Sequence, residues 1–494
     1  MAGCGRGPEA TSIATTSEAI AQIEAPPWTC QGENQKDGFG WSVAAAADVN
    51  GDHESDLLIA AAGYPSYGFQ DKDYLFLGSA AGLPGAASWT VTGDGGGSSY
   101  RPTVAFAGDV DGDGYGDIAL ADAAASPRRV DVYRGSAVGP AATPAWTVLG
   151  ASGDPSFGTA MTAGDFNHDG YGDLVVGSAD FGSDDHGKVF VYLGGPSGLP
   201  ASPSWTSEGD VAASARFGAA LATADVNHDG YADLVVSAAS ASPTGGGKVF
   251  VYLGGPGGLA AAPAWTHANE AAGDDYGAVV ASAGDVNGDG FEDVLVTAPF
   301  ALGARGKVYL YLGSASGLGA TAAWTAQGAS AYKANVSSGS LLGAGAGSAG
   351  DVNGDGYGDV IVSAPQDRSN RGVAYIYLGS AAGLASAPSW QAIGENASDE
   401  FGYHAGPAGD VNGDGKPDVF VSARDFDNQR GKVYVFTDIR LPVCGNGLCE
   451  GHGEDCSSCP ADCACQGASC QRSCCGNGIC EKGESATTCA ADCR

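Results

Sequence analysis

Apolar residues along this chain gather in short runs and never in long stripes. Runs of five or six Val, Phe, Tyr, Ile and Leu residues bounded by glycine, such as KVFVYLG from Lys188 and again from Lys248, recur through most of its length. Their length and their β-branched and aromatic content predict strands. No stretch of 18 apolar residues exists that would cross a membrane as a helix.

A longer period lies above the strands. One nonapeptide occurs seven times, beginning at Asp48, Asp109, Asp165, Asp225, Asp285, Asp351 and Asp410, at spacings of 61, 56, 60, 60, 66 and 59 residues. A Trp keeps the same phase, 19 or 20 residues ahead of six copies (Trp28, Trp89, Trp146, Trp205, Trp265, Trp390), and Trp324 precedes the remaining one by 27. About nine residues ahead stands an aromatic-Gly pair in five copies: Phe39-Gly40, Phe157-Gly158, Phe217-Gly218, Tyr276-Gly277 and Phe401-Gly402. Tyr100-Arg101 and Leu342-Gly343 replace it in the other two.

Each unit therefore reads as four short strands: one leading into the nonapeptide, one leaving it, one at the KVFVYLG run and one around the Trp. Four strands per repeat of about 60 residues, seven times over, predict an all-β chain folded as a seven-bladed β-propeller. A solenoid is the competing architecture, but the ends argue for closure. The last repeat stops after its third strand, Lys432 to Phe436, and the chain begins with an orphan fourth strand at Trp28. That N-terminal strand completes the last blade and leaves no open end. The expected organisation is a leader or tether over 1–27, the propeller over 28–438, and a Cys-rich double repeat over 444–494.

Composition sharpens the picture. The 494 residues carry 57 acidic against 23 basic side chains, a net charge of -34, although only 16% of residues are charged. Such a surplus excludes nucleic acid as a partner, and the acid is concentrated rather than spread. Glycine, with 81 residues and no Gly-X-Y period, suits a β chain with many tight turns.

The concentration is in the nonapeptide. Its pattern, Asp-x-Asn/Asp-x-Asp-Gly-x-x-Asp, sets side-chain oxygens at positions 1, 3, 5 and 9 and directs the carbonyl of position 7 inward. The ligand sets are Asp48, Asn50, Asp52 and Asp56; Asp109, Asp111, Asp113 and Asp117; Asp165, Asn167, Asp169 and Asp173; Asp225, Asn227, Asp229 and Asp233; Asp285, Asn287, Asp289 and Asp293; Asp351, Asn353, Asp355 and Asp359; and Asp410, Asn412, Asp414 and Asp418. Oxygen-only ligands on a tight loop suit a hard cation with six to eight ligands, and a glycine at position 6 permits the turn. No Cys or His occupies a ligand position, which disfavours zinc, so the expected cofactor is Ca2+, with up to seven ions. The loop begins like an EF-hand, but position 12 is apolar, as at Val176, and the flanks are strands.

These motifs in combination, Phe39-Gly40, the loop from Asp48 to Asp56, and Ala298-Pro299 or Ala364-Pro365 after the second strand, resemble the FG-GAP repeats of integrin α-subunit propellers. The resemblance runs from Trp28 to about Thr437. It implies calcium loops between the first and second strands of a blade. Two loops depart from the pattern. His53 replaces the turn glycine and is followed by Glu54 and Ser55, which makes the Asp48 loop the weakest expectation, and Lys416 and Pro417 bring a positive charge close to the last site. No inserted metal-dependent adhesion domain interrupts the repeats. The bland role of these loops, holding blades together, is the favoured one.

In the integrin-like arrangement the opposite face is formed by segments between second and third strands and between blades. Several carry aromatics or arginine: Tyr64, Tyr67, Phe69, Phe181, Phe300, Arg305, Tyr332, Arg368, Arg371, Phe426 and Arg430. Tyr and Arg are common anchors at interfaces, so this face is the expected partner site.

Of 14 cysteines, 12 fall between Cys444 and Cys493, a density that reads as a disulfide scaffold in an oxidising compartment, with zinc as the alternative at Cys456 and Cys459. The tail resembles Cys-rich repeats at the ends of secreted bacterial proteins. Met1 to Cys4, Met-Ala-Gly-Cys, resembles the end of a bacterial lipoprotein box, which makes Cys4 a candidate for lipidation; an ordinary cysteine in the leader is the alternative, and Cys30 has no obvious partner. The N-terminus as written lacks a charged start followed by an apolar core, so its signal sequence is incomplete.

The seven histidines show no metal spacing, with His168 and His228 expected to face solvent, and the Gly-Ser turns recur as turns. No catalytic constellation emerges. The expected function is an exported, calcium-binding adhesion or recognition module for an extracellular protein or glycan, without enzymatic activity. The alternatives are a non-binding structural surface protein or a polysaccharide-active enzyme.

Overall fold

The computed structural model describes residues 3–5, 28–63, 71–93, 102–122, 125, 127–209, 214–239, 246–268, 273–329, 339–437 and 439. The Cys-rich segment, and Tyr64, Tyr67, Phe69 and Tyr332, lie outside the described residues. The described residues form seven antiparallel sheets, the blades, each with one nonapeptide between its first and second strands.

Blade 3 serves as the pattern. Its strands are Phe157–Gly164, Asp173–Ser178, Lys188–Tyr192 and Trp205–Ser207, hydrogen-bonded in that order. The first strands line the axis, each against those of the two neighbouring blades, and Phe401–Gly409 of blade 7 meets Phe39–Ala47 of blade 1, which closes the ring. Small residues dominate them, as in AGSAG from Ala346, because seven strands converge there. The second strands read as near-continuous apolar runs and are buried throughout in blades 1 and 3–7, since each is covered by the blades on either side. The fourth strands lie outermost, and in blades 1, 2, 4 and 5 half-buried and exposed residues alternate along them.

The Trp of each fourth strand has a specific partner in the next blade. Its ring meets the last aromatic of that blade's third strand edge to face, at 5.0–5.2 Å between centroids, in all seven pairs from Trp89–Tyr133 round to Trp28–Phe76. In five of them the indole N–H also donates to a carbonyl in the following blade's turn, for example Trp265 Nε1 to Gly319 O at 3.1 Å. Buried aromatic pairs of this geometry contribute about 0.5–1.5 kcal/mol beyond their area, so the Trp phase of the sequence is an inter-blade stitch.

Closure follows the expected route. Trp28–Gln31 pairs antiparallel with Lys432–Phe436 and supplies the fourth strand of blade 7. A further strand, Gly3–Gly5, adds outside it, with Cys4 opposite Cys30, and the two cysteines are disulfide-bonded. Two expectations change accordingly. Residues 3–5 of the presumed leader belong to the fold, and the sulfur of Cys4 is committed to Cys30 instead of being open to lipidation. The buried Cys30 thereby has a partner.

Candidate metal centres

Each nonapeptide connects a first strand to a second, so all seven loops lie at one end of the propeller, with the turns between third and fourth strands. In every loop the carboxylate of position 1 organises the backbone. It accepts the N–H of position 6 at 2.7–3.0 Å and that of position 5 at 3.0–3.2 Å. The position 5 carboxylate in turn accepts the N–H of position 7 at 2.9–3.1 Å. In five loops the position 3 Asn also donates from Nδ2 to the position 5 carboxylate at 2.8–2.9 Å, so positions 1, 3 and 5 gather around one centre. His53 does not break the pattern: it adopts φ 73°, the left-handed conformation its glycine counterparts adopt, and donates to Asp48 Oδ2 at 2.8 Å.

Position 9 is the first residue of the second strand and has no solvent exposure in any blade. One of its oxygens accepts the N–H of position 2 at 2.7–3.1 Å. The other accepts the N–H of the glycine two residues beyond the third strand, at 2.8–2.9 Å, in the first six blades. In blade 7 that place is residue 438, outside the described residues. The carboxylate thus ties the loop to two strands, a role the ligand pattern alone did not suggest. Burial pushes all seven of these carboxyls up to about 7, the backbone N–H groups pulling partly back.

The residues present fit a hard cation. Oxygens of Asp109, Asp111 and Asp117 lie within 4.8 Å of one another. The buried Oδ1 atoms of Asn50 and Asp111, both at position 3, have no hydrogen-bond donor. Orphaned buried acceptors of this kind are costly unless something positive reaches them. The second loop differs from the rest in that Arg134 Nε sits 2.7 Å from the other oxygen of Asp111.

The loops are also joined to one another. The N–H of position 8 donates to the position 1 carbonyl of the preceding loop at 2.7–3.2 Å, from Gly116 to Asp48 through to Ser55 and Asp410. Six of the seven steps carry this bond; at the seventh the residue is Pro417, which has no N–H. His168 and His228 take part in the same contact, each meeting the position 7 aromatic of the next loop, Tyr231 and Phe291, edge to face at 5.7 and 6.1 Å. Both histidines are solvent-exposed, as expected, and rest on the neighbouring loop with one face of the ring.

At the opposite end the described candidates divide. Arg305 and Arg371 brace the connection out of their own blades, donating from Nε to Gly328 O at 2.8 Å and Gly394 O at 2.7 Å, and Arg430 pairs with Asp427 at 3.1 Å. Phe426 packs against the core beneath blade 7, and Phe181 rests against Phe190 and His186. Phe300, 47% exposed, and Arg368 face solvent. Three consecutive residues take positive φ in each of the segments Leu302–Ala304, Arg368–Asn370 and Asp427–Gln429, so backbone strain gathers on this face.

Comparison with known proteins agrees with this geometry. Residues 39–74, 217–252, 276–311, 343–377 and 401–436 match the FG-GAP repeat, and 109–176 match an FG-GAP-like repeat. Phosphatidylinositol-glycan-specific phospholipase D of Mus musculus is 38% identical over 159 residues, 30% of this chain and 19% of that protein. Integrin alpha-8 of Gallus gallus is 33% identical over 237 residues, 44% of this chain and 21% of that protein. The matched region therefore spans about a fifth of these relatives. Among solved structures, the V. cholerae biofilm matrix protein Bap1 aligns over 83% of this chain and 89% of its own, at 13% identity and a TM-score of 0.41. The protein is a seven-bladed β-propeller built of FG-GAP repeats, related to integrin α-subunits and to phosphatidylinositol-glycan-specific phospholipase D.

Proposed function

We propose that this is an extracellular, calcium-stabilised propeller that recognises a protein or glycan partner with the end opposite its loops, and that it acts by binding rather than catalysis. The observation that carries the reading is the loop set itself. Seven loops of one design share one end, and in two of them a buried position 3 oxygen lacks any donor. Positions 1, 3, 5 and 9 of each loop, with the carbonyl of position 7, would hold the ion. Calcium supplies there a fixed positive charge that lets buried carboxylates stay ionised. The loops are then structural, and recognition falls to the variable end. The Cys4–Cys30 bond supports an oxidising, extracellular setting.

The magnitude is testable. Extracellular calcium modules bind at about 10⁻⁴ to 10⁻³ M, and calcium tenfold above its dissociation constant adds roughly 1.4 kcal/mol per site. Seven such sites reach on the order of 10 kcal/mol, comparable to the net stability of a domain. Chelation should lower the melting temperature markedly; an unchanged melt in EDTA would sink the calcium reading. Glycan and protein arrays with and without calcium test recognition, and a blank array under both conditions favours a purely structural surface protein.

A further inference from the structure

Seven copies of one repeat make departures visible. At four positions in blades 1 and 2 a carboxylate stands where the other blades have something else. Asp73, second in its third strand, replaces Val in five blades and Ala374 in another. Asp131, third in the third strand of blade 2, replaces Tyr or Phe. Asp122, last in the second strand of blade 2, replaces Ala or Ser, and Asp71 stands where five blades have Gly.

All four line one cavity of about 30 Å³ between blades 1 and 2, at the end away from the loops. Its remaining wall is partly apolar, with Val91, Leu120 and Tyr133, and Arg129 is the one cation in the lining. Arg129 lies 2.7 Å from Asp131 and 3.2 Å from Asp122, and Thr147 donates to the other oxygen of Asp131 at 2.6 Å. Asp73 has no such company. It is 9% exposed, and its buried Oδ1 has no hydrogen-bond partner. Burial pushes its carboxyl well above the usual range, and desolvation also lifts Asp71 beside it to about 7. A carboxylate set in place of a core valine is costly unless a positive charge reaches it.

We propose that this cavity takes a primary ammonium at the end of an alkyl chain, the side chain of a lysine on a partner protein, with Asp73 and Asp71 as its counter-ions. A chelated metal fits less well: among the described residues the three carboxylates that converge within 4.8 Å are Asp109, Asp111 and Asp117, at the other end. A volume near that of one water suits an ammonium head better than a planar guanidinium, and the apolar wall suits a methylene stem. The inference rests on reading this end as the docking side, but it requires no calcium.

The test uses the full chain and Nα-acetyl-lysine methylamide as probe, followed by thermal melting with calcium and after chelation. At a probe concentration tenfold above its dissociation constant the melting temperature should rise by about 2 °C in both conditions. The norleucine analogue should produce no rise. Asp73→Val, which restores the residue of the other blades, should melt no lower than the parent and lose the response; Asp71→Gly should weaken probe binding at least about fivefold by removing one of two counter-charges. The proposal is overturned by no rise in the parent, by an equal rise in both variants or with norleucine, or by a rise with glucosamine alone, which would assign the cavity to a glycan. Failure here leaves the effect of chelation on the melt untouched, so the two readings fall separately.

Discussion

Calcium binding should expel protons, and their number is set by position 9. In the metal-free propeller seven buried carboxyls titrate near 7, raised from 3.8 by desolvation. At pH 6.5 a group of this kind is about three-quarters protonated, and at pH 8 about one-tenth. A ligand carboxylate must be deprotonated to hold the ion. Loading all sites should therefore release about five protons per chain at pH 6.5 and fewer than about one at pH 8. Calorimetric titration in two buffers of different ionisation enthalpy counts them directly. Asp233→Asn removes one titrating group and should lower the count by about 0.7. It should also cost about 1–3 kcal/mol, because its amide nitrogen would face one of the two backbone N–H groups the carboxylate now accepts. Stability carries the same signature. A carboxyl raised in the folded state favours the fold fully below its unfolded value, and that contribution is lost as pH rises from about 4 through 7. The chelated protein should thus melt higher at pH 5 than at pH 8, and the calcium-loaded protein should show the reverse. A proton count near zero at pH 6.5, or a chelated melt flat across this range, refutes the role assigned to position 9.

Three further expectations follow from other contacts. Trp265→Ala removes the edge-to-face contact with Tyr311 and the bond to Gly319 O and should lower stability in urea by about 2–4 kcal/mol. Cys4→Ser with Cys30→Ser opens a bridge between residues 26 apart and should cost roughly 3 kcal/mol. Non-reducing peptide mapping should find the two cysteines linked, and lipid on Cys4 would contradict that. His53→Gly relieves a non-glycine residue at φ 73°; it should add about 0.5–1 kcal/mol of stability and strengthen calcium binding at the Asp48 loop, read by titration.

Most of the architecture was legible because its signals are local and repeated. Ligands at positions 1, 3, 5 and 9 lie within nine residues, so their pattern survives without knowledge of the fold. Closure was legible from phase, since a fourth strand missing at one end appears at the other. What escaped depends on contacts between blades. The Trp period was plain, but its partner lies in the next repeat. Cys30 found Cys4 because Gly3–Gly5, too short to announce itself as a strand, pairs with Trp28–Gln31. Arg305 and Arg371 looked like anchors for a partner, yet they spend Nε on carbonyls of their own blades. The second task of position 9, accepting an N–H from beyond the third strand, joins residues about 20 apart, as from Asp293 to Gly313.

Blade 7 takes three strands from residues 401–436 and its fourth from Trp28–Gln31. The first segment of this blade to leave the ribosome must wait for some 400 further residues before its partner exists. Six blades can form as the chain lengthens, but the ring remains an open arc with two bare edges until the last repeat is made. Loss of the final repeat by a premature stop would therefore do more than shorten the protein. It would leave Trp28–Gln31 as an unmatched sticky strand, ready to pair with the open edge of another truncated copy.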